Sequence, residues 1–244
     1  MGITDTDTAP HPIKDTANLS SFSDSFHIDD GLAVVSLPKK ENVIPADNRT
    51  HAPKRFLSLT KRFHSDTDLR TMYENKMMNY ILQHQVEVAP PSPSAAPNFY
   101  LPHHAVKKGR HTAVKWRNVF DASSHEPGSP LLNAFLEMGP KLLPEIRLVL
   151  LRFRIHKCAI LGDVSQAFLQ ITLDPKDRDL TRFLWYRLVQ NGQGSYDITD
   201  DVISYRFTRL PFGLTCSTFL LSATIRTLAN MFHDTYPTAS ALMD

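Results

Sequence analysis

The stretch "VAPPSPSAAPN", residues 88–98, constrains this chain more than any other. Its four prolines fix φ and remove N–H donors, so it suits neither a helix nor a central strand. An extended spacer is the expectation, with different textures on its two sides. Residues 1–30 are rich in Thr, Ser and Asp and are expected to be loosely ordered. Residues 31–87 predict a small N-terminal extension. "GLAVVSLP" reads as a short strand ended by Pro38, and "APKRFLSLTKRF" as a helix with Pro53 in its first turn. In the next segment Leu69, Met72, Tyr73, Met77, Tyr80 and Ile81 recur at helical spacing, behind a capping-box spacing of Ser65 and Asp68. The two helices predict a hairpin that packs its apolar faces together.

Residues 99–244 read differently. "FYLPHHAVKK" and "AVKWRNVFDAS" predict two strands joined at Lys108-Gly109, and "LVLLRFRI" predicts a helix. "ITL", "RFLWYRL" and "VISYRFTRL" predict further strands, and "TCSTFLLSATIRTLANMF" a helix after the turn Pro211-Phe212-Gly213. Strands and helices without strict βαβ alternation point to an α+β fold.

With 244 residues the chain can bury a substantial core. Its two cysteines, Cys158 and Cys216, lie far apart without metal-ligand spacing, which excludes a disulfide framework and a structural zinc site. A reducing, cytoplasmic setting is the simpler expectation. "MGITDTDTAP" has no signal-peptide pattern, and Arg147, Arg152 and Arg154 interrupt the longest apolar stretch, so no membrane association is expected. Net charge is +2 but uneven: residues 51–118 hold eleven Lys and Arg against four Asp and Glu. That block is the expected neighbour of polyphosphate; the alternative is a solvated basic face.

The sharpest chemical candidate is Asp163 in "CAILGDVSQAFLQITL", a carboxylate expected to leave a buried apolar strand. Such an oxygen is the hard ligand that Mg²⁺ prefers, and two such ions can activate an attacking oxygen and stabilise a leaving one. One aspartate cannot hold two ions, and the alternative is a turn residue capping a helix that begins near Ser165. "VKWRNVFDAS" puts Lys115 and Arg117 on one face of a strand, where Arg110 could join them in clamping a triphosphate. "RLPFGLTCSTF" sets a Gly-containing turn before a helix, and Gly213 would let a flat ligand approach the backbone.

Taken in order, "KWR" in a basic hairpin, "GDVSQAF", and "LPFG" before a helix resemble the fingers and the first two palm motifs of reverse transcriptases. "YLPHHAVKK", "RNVFDAS", "LNAFLEMGP" and "LLRFRIHKCAILGDVSQAFLQITL" narrow the resemblance to the polyprotein of BEL/Pao-type retrotransposons. It covers nearly the whole chain from about Gly31, the upstream "DNRTHAPKRFLSLTKRF" and "YENKMMNYI" included.

The resemblance implies a partial right-hand polymerase, fingers plus an incomplete palm, that joins dNTPs to a primer 3′-OH on an RNA or DNA template. It implies that Asp163 is a catalytic metal ligand for Mg²⁺ or Mn²⁺, two ions in the complete domain, with the backbone of Val164 facing the nucleotide. Phe168 would be the gate that excludes a ribose 2′-OH. Arg117, with Lys115 and Arg110, would hold the triphosphate, and Phe212 and Gly213 would line the nucleotide and template pocket. Protease, RNase H and integrase from the same polyprotein are the implied partners, with a virus-like particle as one setting. Two departures stand out: Gln166 replaces a second acidic residue, and Thr218 replaces the usual proline. The aromatic-x-Asp-Asp motif that supplies the remaining acids does not occur in the sequence; Asp200-Asp201 in "YDITDDVIS" reads as a solvated loop, and Asp121 and Asp244 fit poorly as ligands. The expectation is therefore a truncated polymerase, the alternative a catalytically inactive nucleic-acid-binding remnant. An incomplete palm would leave an open sheet edge, an aggregation liability.

Overall fold

The computed structural model describes residues 12–43, 48–91, 97–108, 115–124, 131–155, 157–158 and 161–237. Its centre is a set of aromatic side chains contributed by helices and strands far apart in sequence. Helices α2 (Ala52–Ser65) and α3 (Thr67–Leu82) follow one another across Asp66, each burying one stripe: Phe56, Leu59 and Phe63 from the first, Leu69, Tyr73 and Met77 from the second. Their shared face lies on a hairpin of β4 (His103–Lys108) and β5 (Lys115–Phe120) and on the long strand β7 (Arg182–Gln190). Trp185 of β7 is fully buried where Phe56, Phe63 and Tyr73 meet, with ring centroids 5.4–6.2 Å away. Such pairs of aromatic rings add about 0.5–1.5 kcal/mol each beyond the area they bury.

The fold is α+β, with small sheets arranged around this core. β3 (Val86–Val88), β8 (Tyr196–Phe207) and β7 form one antiparallel sheet in the order β3-β8-β7. β1 (His27–Asp29), β2 (Leu32–Val35) and β6 (Thr172–Leu173) form another, in which β2 and β6 run parallel. Short helices α4 (Leu132–Phe135) and α5 (Ile146–Arg152) precede the Asp163 segment, and α6 (Ser217–Met231) follows β8.

Several expectations are corrected. Residues 12–25 are helical: α1 (Pro12–Ser25) is held by Phe22, which is buried against Phe219 of α6 at a centroid distance of 6.0 Å. One aromatic anchor thus orders a segment whose composition reads as loose. The cap of α3 is Asp66, whose carboxylate accepts from the Leu69 N–H at 2.9 Å, while Ser65 closes α2. The proline stretch does not open with a spacer. Val88 is paired with Tyr205, and Pro90 accepts a hydrogen bond from the buried Arg182 guanidinium at 2.8 Å, so the extension and the later strands share a sheet. Residues 92–96 of that stretch lie outside the described residues. Asp200-Asp201 is no loop. Both residues belong to the 12-residue strand β8, and Asp201 accepts from Arg187 Nε on β7 at 2.7 Å.

His103 ties the layers together. It is buried between Tyr73 of α3 and Leu184 of β7; its Nε2 lies 2.9 Å from the Leu184 carbonyl and its Nδ1 2.6 Å from the Tyr73 hydroxyl. A carbonyl only accepts, so Nε2 carries the proton and Nδ1 accepts from the tyrosine. Burial disfavours the imidazolium, and His104 opposes it further, which together outweigh the Leu184 carbonyl and lower the pKa from 6.5 to about 4. The unfolded chain therefore takes up a proton at a pH where the folded chain does not. Stability from this group is complete above pH 6.5 and is lost as pH falls toward 4. The expected loss is about 3 kcal/mol of unfolding free energy across that window. Urea titrations of the wild type and His103→Gln should show it, the variant losing much less over the same range.

Candidate functional site

Three chain segments singled out in the sequence meet through backbone contacts. The first is the β4–β5 hairpin. Its register pairs Lys108 with Lys115, Val106 with Arg117 and His103 with Phe120. His103, Ala105, Asn118 and Phe120 form its buried face, so the alternation of strands sets Arg117 and the exposed His104 on the other. Arg117 is exposed. The exposed Lys107 lies over the half-buried Trp116 ring, 5.6 Å from its centroid. Arg110 and the side chains of Lys108 and Lys115 fall outside the described residues.

The second segment is the turn Leu210–Gly213. Phe212 packs edge-on to Phe120, the last residue of β5, at 6.1 Å. Gly213 has φ +96°, and a Cβ there would stand 2.6 Å from the Phe120 carbonyl oxygen. This gives the glycine a structural reason that the sequence did not suggest. The group that comes close is the end of the neighbouring strand. Asn133 completes the joint. Its side chain donates to the Gly213 carbonyl at 3.2 Å and to Ser123 Oγ at 2.9 Å, and accepts from the Thr215 N–H at 2.8 Å. Nothing in the composition of "LNAFLEMGP" marks Asn133 for this role; an Asn next to the N-terminus of a short helix was the available signal.

The third segment runs from Asp163 to β6. Ala167–Gln170 is a 3₁₀ helix, followed by Thr172–Leu173, whose backbone is knitted to the strand leading into the turn: Leu173 N–H donates to Thr208 and Leu210 N–H to Ile171, both at 2.9 Å. Phe168 is half-buried against the core. Gln166 adopts φ +53° and accepts from Gln85 Nε2 at 2.6 Å, so the position without the second acid anchors the loop to the turn between α3 and β3.

Asp163 itself is exposed, as are Cys158, Leu161 and Val164, and Leu161 is 86% exposed. The buried strand expected here is not seen; Ala159 and Ile160 lie outside the described residues. The whole of α5 is likewise exposed, Ile146 at 68% and Leu151 at 63%. Hydrophobicity predicts burial only where a partner packs against it, and no described element covers this stretch. Asp163 does not cap the following helix either, because the residue at that position is Gln166, without a side-chain cap.

The metal expectation can be tested on the donors present. Asp163 offers an accessible hard oxygen, but no group of three His, Cys, Asp or Glu occurs among the described residues. Asp121 is bound instead in its own turn, accepting from the Ser123 N–H at 2.9 Å. Asp200 and Asp201 lie on β8. A two-ion centre is therefore not built from the described residues. Asp244 lies outside them. No helix among the described residues is long and apolar enough to cross a membrane.

Comparison with protein-family models and with curated proteins gives no match for this chain.

The joint at Phe120 predicts two measurable losses. Gly213→Ala forces a left-handed alanine against a carbonyl and should destabilise by at least about 2 kcal/mol. Asn133→Ala removes three hydrogen bonds at one place and should lose about 1–3 kcal/mol. Urea midpoints report both, and wild-type midpoints in either variant would contradict the joint described.

Proposed function

We propose that this chain is the fingers and part of the palm of a reverse transcriptase, an RNA-directed DNA polymerase, and that its immediate activity is holding a primer–template and an incoming dNTP. The observation that carries the reading is the meeting of the basic hairpin with the Pro-Phe-Gly turn at Phe120 and Gly213, with the Asp163 segment joined to the same turn through β6. A nucleotide lying across this junction would have its phosphates near the cationic face of β4–β5 and its base and sugar near Phe212 and Phe168. Contacts of this kind are made mainly to backbone phosphate, and base pairing with the template supplies sequence choice.

Asp163 is the proposed ligand of the catalytic Mg²⁺ or Mn²⁺ ions, which would supply charge neutralisation at the transferred phosphate. Exposure favours it in this role, since an ion can reach its carboxylate. Protease, RNase H and integrase of a common retrotransposon polyprotein, working in the cytoplasm or in a virus-like particle, are the proposed partners. That no group of three His, Cys, Asp or Glu occurs among the described residues favours a second reading, a nucleic-acid-binding remnant without polymerase activity.

Two experiments separate the possibilities. Binding of a labelled primer–template should weaken as salt rises, because condensed counterions are released. Arg117→Gln should reduce the slope of log affinity against log salt by about 0.9, one phosphate contact on a duplex. A slope unchanged by the substitution removes Arg117 from the interface, and salt-independent binding removes both readings. For the chemistry, this chain joined to a palm segment that carries the aromatic-x-Asp-Asp motif should extend a primer, and Asp163→Asn should lower the rate at least about 100-fold. Equal rates would exclude Asp163 from the reaction; no extension with either form would leave binding as the function.

A further inference from the structure

Arg178 and Arg209 converge on the two-residue strand β6 from different parts of the chain. Arg178, in the 3₁₀ helix Arg178–Thr181, donates from Nε to the Leu173 carbonyl at 3.2 Å. Arg209, two residues beyond β8, donates from Nη1 to Thr172 Oγ1 at 2.9 Å, and the backbones of Thr172 and Arg209 form an antiparallel bridge. Two guanidiniums are thus anchored on neighbouring residues of one strand.

Their counter-charges are already shared out. Arg178 Nη1 reaches Glu87 at 3.2 Å, but the same carboxylate takes Arg206 Nε at 2.7 Å. The second carboxylate, Asp179, is divided between Arg206 at 2.9 Å and Arg182 at 2.8 Å. Three guanidiniums therefore share two carboxylates, Arg209 makes no ion pair among the described residues, and Asp174, next to Leu173, accepts from Ser36 Oγ and the Lys176 N–H. The site is poorly screened, since the Arg178 and Arg206 side chains are only 17% and 15% exposed. Burial, with the Arg178 charge beside it, lowers the Arg209 pKa, a sign that this cation is held at a cost. The guanidinium fork matches the oxygens of a phosphate, and a phosphate would supply the charge that is lacking.

We propose that Arg178 and Arg209 form an anion site on β6 that binds a phosphate group. The inference does not rest on the polymerase reading, because neither Asp163 nor the β4–β5 hairpin takes part in it. The phosphate can come from a small molecule or from a nucleic-acid backbone, and the probes below separate these sources.

The test uses the whole chain. Pyrophosphate should raise its thermal midpoint more than sodium chloride of equal ionic strength does. Arg209→Gln should keep or raise the midpoint measured without phosphate, since it relieves repulsion, and should weaken pyrophosphate binding at least tenfold by calorimetry. Arg209→Lys should keep part of the affinity, and Lys54→Gln, an exposed charge on α2, should keep all of it. Arg178→Gln repeats the test should Arg209→Gln fail to fold. A short single-stranded oligonucleotide that displaces pyrophosphate identifies a backbone phosphate as the ligand; pyrophosphate binding without displacement identifies a free one. Pyrophosphate binding that survives both Gln substitutions, or that does not exceed the chloride control, overturns the proposal.

Discussion

The neutral imidazole of His103 is the link on which the arrangement depends. It reaches the α3 hydroxyl of Tyr73 on one side and the β7 carbonyl of Leu184 on the other, within a shell formed by Phe56, Phe120, Phe183 and Trp185. A hydrocarbon at this position would leave the Leu184 carbonyl and the Tyr73 hydroxyl buried without these partners, which costs more than the net gain of a single hydrogen bond. A charged residue would have to be dehydrated. An uncharged ring with one donor and one acceptor meets both demands, and through it the N-terminal helix pair and the later strands share a single core.

Where local pattern and tertiary context agree, the sequence is a good guide. The 3.6-residue recurrence from Leu69 to Ile81 gives a helix because the face it defines meets the aromatic core, and "RFLWYRL" is a strand whose Phe183 and Trp185 point inward together. The guide fails where a distant contact decides. Phe22 orders α1 by packing on Phe219, some two hundred residues along the chain. Asp200 and Asp201 sit in a strand because the far half of the β7–β8 ribbon is exposed, so polar residues on it carry no desolvation cost. The opposite failure is the apolar run of α5, which is left uncovered because burial belongs to a pair of surfaces and not to one segment.

The candidate site divides in the same way. The cationic face of the hairpin was legible because side chains alternate along a strand, and Lys115 and Arg117 stand two apart. The approach of Gly213 to Phe120 was not, since a turn sequence gives the conformation of the glycine but not the neighbour that demands it. Asn133 was hidden for the same reason: its three partners come from the turn, the α6 approach and the loop after β5. The excess of guanidinium around β6 needed the fold as well, because Arg178 and Arg209 are about thirty residues apart and only the pairing of β6 with the exit from β8 brings them together.

The contact of Gly213 with the Phe120 carbonyl also has a mechanical side. Phe120 is the root of the β4–β5 hairpin, and its carbonyl, its ring and the nearby Asn133 clamp the turn from three directions. The root of the hairpin therefore cannot slide without carrying the turn and the start of α6 with it, so strand, turn and helix hold their places as one joint.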